Sequence, residues 1–284
     1  MPPDVRAAAI ESPAAVVVAT RTPWRGGRIA LGVIVTAIYV FLLAPVAIIV
    51  FSSFNPTEAN TFPPTGFSFR WYAKFVESER FVSSFRFSLW LAVVAAVAAT
   101  LIGFITAYGL VRCWQRGRGV VQSLTMLPMM VPHLLISISL LLALMVVPVP
   151  ELAVLIVGHV LICLPFVIAC IVASLEGIDA QLELAALTLG ASRPRALWEV
   201  VVPLVAPGLL SALLFAFMVS FGDVYIALFL SGPGRTTLPI EIFAYMQWES
   251  TPVVAAITTI QILLIIGLGL VIERLVGLRR IMRV

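Results

Sequence analysis

The chain alternates between long apolar runs and short polar segments. Six runs contain no Asp, Glu, Lys or Arg, at residues 29–51, 87–111, 119–150, 152–175, 200–222 and 250–272. About 20 apolar residues in a helix cross the hydrocarbon core of a bilayer, so each run is long enough to span it. The pattern therefore predicts an all-α membrane protein with six transmembrane helices.

The third apolar run is longer than one span needs, and it contains Pro128 and Pro132. Proline removes a backbone hydrogen bond and clashes with the preceding turn. We therefore expect the span to begin near Ser123, with a kink or a broken turn around the two prolines. Broken membrane helices are tolerated where they are buried in protein or face water, so this region is predicted to line a cavity.

The distribution of Lys and Arg predicts the orientation. If the amino terminus is inside, thirteen of the 18 basic residues fall in cytoplasmic segments and five fall outside, as the positive-inside rule requires. Both termini are then cytoplasmic. The predicted parts are a disordered tail at 1–28, a first span at 29–51, an extracytoplasmic loop at 52–86 with a short helix at 71–81, a core of five spans at 87–272 that includes a cytoplasmic loop at 176–199, and a tail at 273–284.

Composition agrees with this assignment. The residues are 61% hydrophobic and 11% charged, whereas soluble domains are about 25% charged. The net charge of +4 is explained by basic residues at the ends of apolar runs, which is what membrane topology requires and gives no reason to expect nucleic acid. Cys113, Cys163 and Cys170 do not suggest a disulfide framework.

The motifs of common enzymes are missing from the sequence. His133 and His159 stand alone in apolar surroundings, where packing is favoured over a proton relay, and neither has metal-ligand spacing. A P-loop needs a glycine-rich run ending in Gly-Lys, but Lys74, the chain's only lysine, follows Ala73. We predict no catalytic residue, no metal site and no cofactor in this chain, so any ATP and Mg would be bound by a partner.

The segment 178–209 is the most informative polar stretch. Leu182, Ala185, Ala186 and Leu189 recur at helical spacing and form one apolar face. Gly190 can end this helix in a left-handed conformation. Ser192 followed by Pro194 is a start signal for a second helix that leads into the next span.

Asp223 is the acidic residue that lies well inside an apolar run. An aspartate at mid-membrane costs about 2.5–3.5 kcal/mol and usually faces protein or water. It either lines a transport pathway for a cation, caps a helix break near Gly222, or pairs with a neighbouring subunit. The predicted pathway also includes aromatic and acidic neighbours that suit an organic cation but could equally be interface anchors, namely Phe221, Tyr225, Glu241 and Trp248.

The small residues and the prolines of segment 178–209 resemble the EAA loop in membrane subunits of bacterial ABC importers. The matching positions are Ala185, Ala186, Gly190, Ala191, Pro203, Pro207 and Gly208. The resemblance implies a coupling helix that docks on a cytoplasmic ATPase through Leu182, Glu183, Leu184, Ala185, Ala186, Leu189, Gly190 and Ala191. Leu184 stands where the family usually has glutamate, and Glu183 lies one position earlier.

Two further stretches, SFGDVYIALFLSGPGRTTLPIEIFAYM and FPPTGFSFRWYAKF, resemble the second permease of polyamine importers of the spermidine/putrescine type. This implies a type-1 ABC importer permease in a bacterial inner membrane, forming half of a solute pathway. It also implies a second permease subunit, two copies of an ABC ATPase and an extracytoplasmic solute-binding protein.

Other readings remain open from the residues alone. The solute could be another small organic molecule, such as an opine, an amino-acid-like compound or a carboxylate. An ion-gradient-driven secondary transporter or channel would need no ATPase, but it leaves the segment 178–209 unexplained. A membrane scaffold without transport leaves Asp223 unexplained.

Overall fold

The computed structural model of the chain describes residues 25–276 apart from 60, 114–116 and 233, and these residues are mainly α-helical. The tails predicted at 1–28 and 273–284 lie largely outside the described residues. The helices are α1 (Arg25–Ser52), α2 (Arg70–Glu77), α3 (Glu79–Tyr108), α4 (Arg118–Met130), α5 (His133–Val146), α6 (Glu151–Glu176), α7 (Gln181–Thr188), α8 (Arg193–Ala196), α9 (Val202–Phe221), α10 (Tyr225–Leu230), α11 (Leu238–Met246) and α12 (Val253–Val276).

The chain divides into two compact units, and the boundary between them follows residue 47. The described part of the first unit is the amino-terminal portion of α1, an uninterrupted apolar helix. The second unit contains all the other helices and the sites described below.

The core of the second unit is formed by α3, α6 and α9, each of which packs against the other two. Most of the buried residues of α3 are small, and a Cβ at Gly103 would overlap Cγ1 of Val167 on α6. Membrane helices lack a hydrophobic driving force between them, so small residues stabilise them by letting backbones approach closely. Among the buried residues of α3, the small apolar ones are Ala92, Ala95, Ala96, Ala99, Gly103 and Ala107.

Within the described residues, five helical segments are long and apolar enough to cross a membrane. They are Arg28–Ser52, Glu79–Cys113, Glu151–Glu176, Arg193–Phe221 and Val253–Arg274. The remaining predicted span, the third in chain order at residues 119–150, corresponds to α4 and α5 together, which are bent by 93° relative to each other. The prediction of six spans holds when this bent pair is counted as one.

The bend lies at Pro132, between α4 and α5. Proline disfavours the helical conformation of the residue before it, and Val131 is extended, with φ −86° and ψ 130°. Pro128 lies inside α4, which begins at Arg118 and not near Ser123. The predicted break is therefore confirmed, but Pro132 alone marks it.

The second span begins earlier than its apolar run. The structure has α3 starting at Glu79 instead of residue 87, because the Ser78 hydroxyl accepts a hydrogen bond from the Phe81 N–H and caps the helix. The predicted surface helix at 71–81 is the shorter α2, which ends before Ser78. In the preceding loop the carbonyl of Asn55 accepts a 2.6 Å hydrogen bond from the indole of Trp71, which fixes α2 to that loop.

Candidate functional site

The loop between α6 and α9 contains the short helix α7 and a defined turn. Gly190 has φ +92°, a conformation that glycine adopts without steric cost. The Gly190 N–H bonds to the Leu187 carbonyl and the Ala191 N–H bonds to the Ala186 carbonyl, both at 3.0 Å. These two bonds form a Schellman cap, which confirms Gly190 as the end of the helix.

After this turn the chain becomes one continuous helical segment. Ser192 is the N-cap of α8, and Pro194 lies in its first turn, as the start signal predicted. A π-helical turn at Leu197–Val201 joins α8 to α9 without an interruption, so helix extends from Arg193 to Phe221. The loop that carries α7 is thus joined directly to the fifth span.

The outward face of α7 is apolar. The exposed fractions of Leu182, Leu184 and Leu189 are 48%, 50% and 88%, and Ala185 is exposed beside them. Ala186, by contrast, is only half-exposed, and it shares the inward face with Leu187 and Glu183. The predicted face is therefore correct for Leu182, Ala185 and Leu189, whereas Ala186 is turned partly towards its own subunit, because it follows Glu183 by three positions.

Glu183 points into the subunit and is already engaged there. Its Oε1 accepts a 2.5 Å hydrogen bond from the Tyr108 hydroxyl, and its Oε2 lies 3.7 Å from Nε of Arg112. A partner that approaches α7 would meet Leu184 and Leu189 before this carboxylate. The assignment of Glu183 to the contact surface is therefore not supported by its position.

A second candidate site lies where two chain breaks meet. Asp223 follows the end of α9, and its side chain is 2% exposed. Its Oδ2 accepts a 2.7 Å hydrogen bond from the Ile226 N–H in the first turn of α10. Its Oδ1 lies 3.6 Å from Nδ1 of His133, the first residue after the bend at Pro132. Because α5 packs against α10, the two breaks lie side by side.

The two histidines have different surroundings. His159 is buried, and its Nδ1 lies 2.9 Å from the Ser220 hydroxyl. The Cys163 thiol nearby donates to the Ala216 carbonyl at 3.3 Å, so both side chains fix α6 to α9. The packing interpretation therefore fits His159. His133 is a third exposed and faces a carboxylate, which its sequence neighbours gave no reason to expect.

The remaining predicted pathway residues have different surroundings. Phe221 is buried and stacks on Phe217 with ring centroids 5.3 Å apart, so it belongs to the core. Tyr225 is half-exposed, and Trp248 is almost fully exposed. Glu241 is nearly buried and pairs with Arg80 at 3.0 Å. Asp223 and Glu241 thus each have a basic neighbour of their own.

A polar cluster connects α2 to the end of α11, and the sequence did not indicate it. The Lys74 ammonium donates to the Tyr245 hydroxyl at 3.3 Å, and that hydroxyl donates to Glu249 at 2.5 Å. Partial burial lowers the pKa of Lys74, but Tyr245 and Glu249 outweigh that effect and raise it above its usual value. The hydrogen bond from Tyr245 lowers the pKa of Glu249.

Comparison with known proteins gives a consistent result. Residues 99–279 match the family described as binding-protein-dependent transport system inner membrane component. The chain is 34% identical to the spermidine/putrescine transport system permease protein PotC of Escherichia coli K12, over 87% of this chain and 92% of that protein. It is 32% identical to the putrescine transport system permease protein PotI of the same strain, over 84% of this chain and 86% of that protein.

A solved structure has the same fold. It is a bacterial alginate ABC transporter in complex with an alginate pentasaccharide-bound periplasmic protein. One of its chains aligns with a TM-score of 0.67, at 16% identity, over 91% of this chain and 96% of that chain. The sequence identity is too low to transfer the solute, so this likeness concerns the fold.

Proposed function

The chain belongs to the family of binding-protein-dependent transport system inner membrane components and is a permease subunit of an ABC importer, and from that premise we propose that its solute is a polyamine such as spermidine or putrescine. The observation that carries the proposal is the 34% identity to the spermidine/putrescine permease, which extends over 87% of the chain. A linear polycation needs carboxylates and aromatic faces along its path, because ion pairing and cation–π attraction replace its lost hydration.

The pathway follows the line where the two chain breaks meet. Tyr225, in the first turn of α10 and two positions after the buried Asp223, offers a half-exposed aromatic face. In this conformation α10 and His133 shield that carboxylate, so direct contact with a cation requires α5 to move away from α10. Asp223 therefore acts on the solute in a different transport state, or through its charge across a short distance.

The import complex contains more than this chain. A second permease completes the pathway, two copies of an ATPase bind ATP and Mg, and an extracytoplasmic protein delivers the solute. The family description names dependence on a binding protein, and the alginate transporter of similar fold was solved with a periplasmic protein bound. One ATPase docks on the apolar face of α7, and its movement passes through the helical segment Arg193–Phe221 to Asp223.

The test is uptake by the complete transporter. The chain is expressed with its partner subunits in a bacterium that lacks its own polyamine importers, and accumulation of radiolabelled spermidine and putrescine is measured. We expect uptake that competes with unlabelled polyamines and is insensitive to amino acids, opines and carboxylates. Uptake of one of those solutes without polyamine uptake would overturn the proposal that the solute is a polyamine.

The energy source is tested separately in proteoliposomes. With ATP and the ATPase present, uptake should persist when ionophores dissipate all ion gradients. Uptake that needs a gradient and no ATP would instead establish a secondary transporter.

A further inference from the structure

The guanidinium of Arg112 lies at a point where three segments of the chain meet. Arg112 belongs to a π-helical turn, Gly109–Cys113, that extends the carboxyl end of α3. Its Nη2 donates to the Ile178 carbonyl at 3.1 Å and to the Leu175 carbonyl at 3.5 Å, at the end of α6. Its Nε lies 3.7 Å from the carboxylate of Glu183 on α7.

Tyr108 adds a second contact from α3 to the same carboxylate. Its hydroxyl donates to Oε1 of Glu183 at 2.5 Å, while Arg112 lies against Oε2. Both oxygens of Glu183 therefore face the end of α3, which is distant along the chain. We refer to Tyr108, Arg112 and Glu183 as the Arg112 cluster.

The helix α7 has few other means of holding its place. All eight of its residues keep part of their surface exposed, and it packs mainly against α8 and the π-helical turn Leu197–Val201. Those neighbours lead to α9. The Arg112 cluster instead connects α7 to α3 and to the end of α6, and these two helices form the core with α9.

The environment of the cluster favours a persistent contact. The side chains of Arg112 and Glu183 are each 15% exposed, so salt and water screen their attraction less than that of a surface pair. The nearby pair of Arg195 and Glu199, in contrast, is 67% and 61% exposed and lies within one helical turn. Exposed pairs of that kind contribute little, which makes Arg195 a suitable control.

We propose that the Arg112 cluster transmits the displacement of α7 to α3 and α6, so that the three core helices move together when the ATPase moves α7. Tyr108, Arg112 and Glu183 are then positioning residues for transport, and Glu183 acts inside this subunit instead of contacting the ATPase. The inference rests on the proposed docking of an ATPase at α7. Without the cluster, the displacement would reach α6 and α9 through the backbone and leave α3 behind.

The test compares solute transport with ATP hydrolysis in the purified, complete transporter in proteoliposomes. The variants are Arg112→Met and Glu183→Gln, with Tyr108→Phe to remove one hydrogen bond and Arg195→Met as the matched control. We expect Arg112→Met to lower the number of polyamine molecules imported per ATP at least tenfold, with ATPase association unchanged. Arg112→Lys, which keeps the charge near Glu183, should recover part of the loss, and Arg195→Met should match the unaltered protein.

A structural role would give a different result. Fewer assembled complexes, or a lower melting temperature, at an unchanged ratio of solute to ATP would overturn the proposal. An equal loss in Arg195→Met would also overturn it, because the effect would then not depend on the buried cluster.

A second measurement does not depend on the solute. Spin labels at Gln181→Cys on α7 and Ile105→Cys on α3, with the exposed Cys113 replaced by serine, report the distance between the two helices. We expect that distance to stay constant on ATP binding in the otherwise unaltered transporter and to change in Arg112→Met. If polyamines are not imported, the substrate proposal fails, and the change of this distance on ATP binding alone decides the role of the cluster. An equal change in the otherwise unaltered transporter and in Arg112→Met would overturn the proposed role of the cluster.

Discussion

The Nδ1 atom of His133 lies 3.6 Å from the Oδ1 atom of Asp223; His133 directly follows the break between α4 and α5, and Asp223 lies in the break between α9 and α10. The other oxygen of Asp223 accepts the Ile226 N–H, so the carboxylate fixes the first turn of α10 as well as facing α5. A buried carboxylate without such partners would be strongly disfavoured. Its capping role and its charge are therefore two separate properties, and substitutions can separate them.

Replacing Asp223 with Asn should remove the charge and keep the cap, because the amide oxygen can still accept the Ile226 N–H. We expect polyamine uptake to fall at least tenfold, with the assembled amount and the melting temperature of the transporter close to the original values. Uptake of labelled spermidine and thermal melting of the purified complex measure the two effects.

The control for this substitution is Asp223→Ala, which removes both the charge and the cap. Loss of an N-cap costs about 0.5–2 kcal/mol, so this variant should be less stable than Asp223→Asn. Normal uptake in a correctly assembled Asp223→Asn variant would show that the carboxylate serves as a cap alone.

A charge on the outward face of α7 should prevent docking of the ATPase. Leu189 is 88% exposed, so Leu189→Asp leaves the core of this subunit untouched. We expect the ATPase to be lost on purification, whereas Leu189→Met, which keeps an apolar side chain, should retain it. Co-purification followed by assay of ATP hydrolysis measures the result. Retention of the ATPase by Leu189→Asp at normal activity would place the docking surface elsewhere.

The number of spans and the position of the loop that carries α7 could be predicted because each depends on local sequence. An uncharged run of sufficient length has few alternatives to a membrane helix. Gly190 likewise has few alternatives to a left-handed turn once the apolar face of α7 ends there. The apolar run predicts a later start for α3 than the structure has, because the polar helical extension capped by Ser78 is not part of the apolar pattern.

The contacts of the site could not be predicted because they are made between distant segments. His133 and Asp223 are brought together by the packing of α5 on α10, which no periodicity encodes. Helical spacing groups Ala186 with Leu182 on one apolar face, although its position three residues after Glu183 turns it partly inward. Its proximity in sequence groups Phe221 with Asp223, yet Phe221 lies in the aromatic core.

The turn after α7 should depend on glycine through its backbone conformation alone. A Cβ at Gly190 would meet no atom within 4 Å, so Gly190→Ala introduces no clash. Its φ of +92° nevertheless lies where L-residues are strained, at a cost of roughly 1–2 kcal/mol. We expect weaker ATPase association and a lower ratio of imported solute to ATP.

Gly119 provides the matched control for that turn. A Cβ there also meets no atom within 4 Å, but Gly119 lies in the regular helix α4 and lacks a positive φ. Gly119→Ala should therefore be neutral or slightly stabilising. Equal behaviour of the two variants would mean that the conformation of Gly190 is not required for coupling.

The contact between α3 and α6 provides a test of the core itself. A Cβ at Gly103 would overlap Cγ1 of Val167, so Gly103→Ala should force the helices apart at a cost of about 1–3 kcal/mol. Val167→Ala alone leaves a cavity, but in the double variant the new methyl group occupies the space that valine left. We therefore expect the double variant to lose less free energy of unfolding than the two single variants lose together, by about 0.5–3 kcal/mol in a double-mutant cycle measured by thermal melting. Strictly additive losses would show that α3 and α6 do not meet at these two residues. The described packing of α3 against α6 would then be wrong.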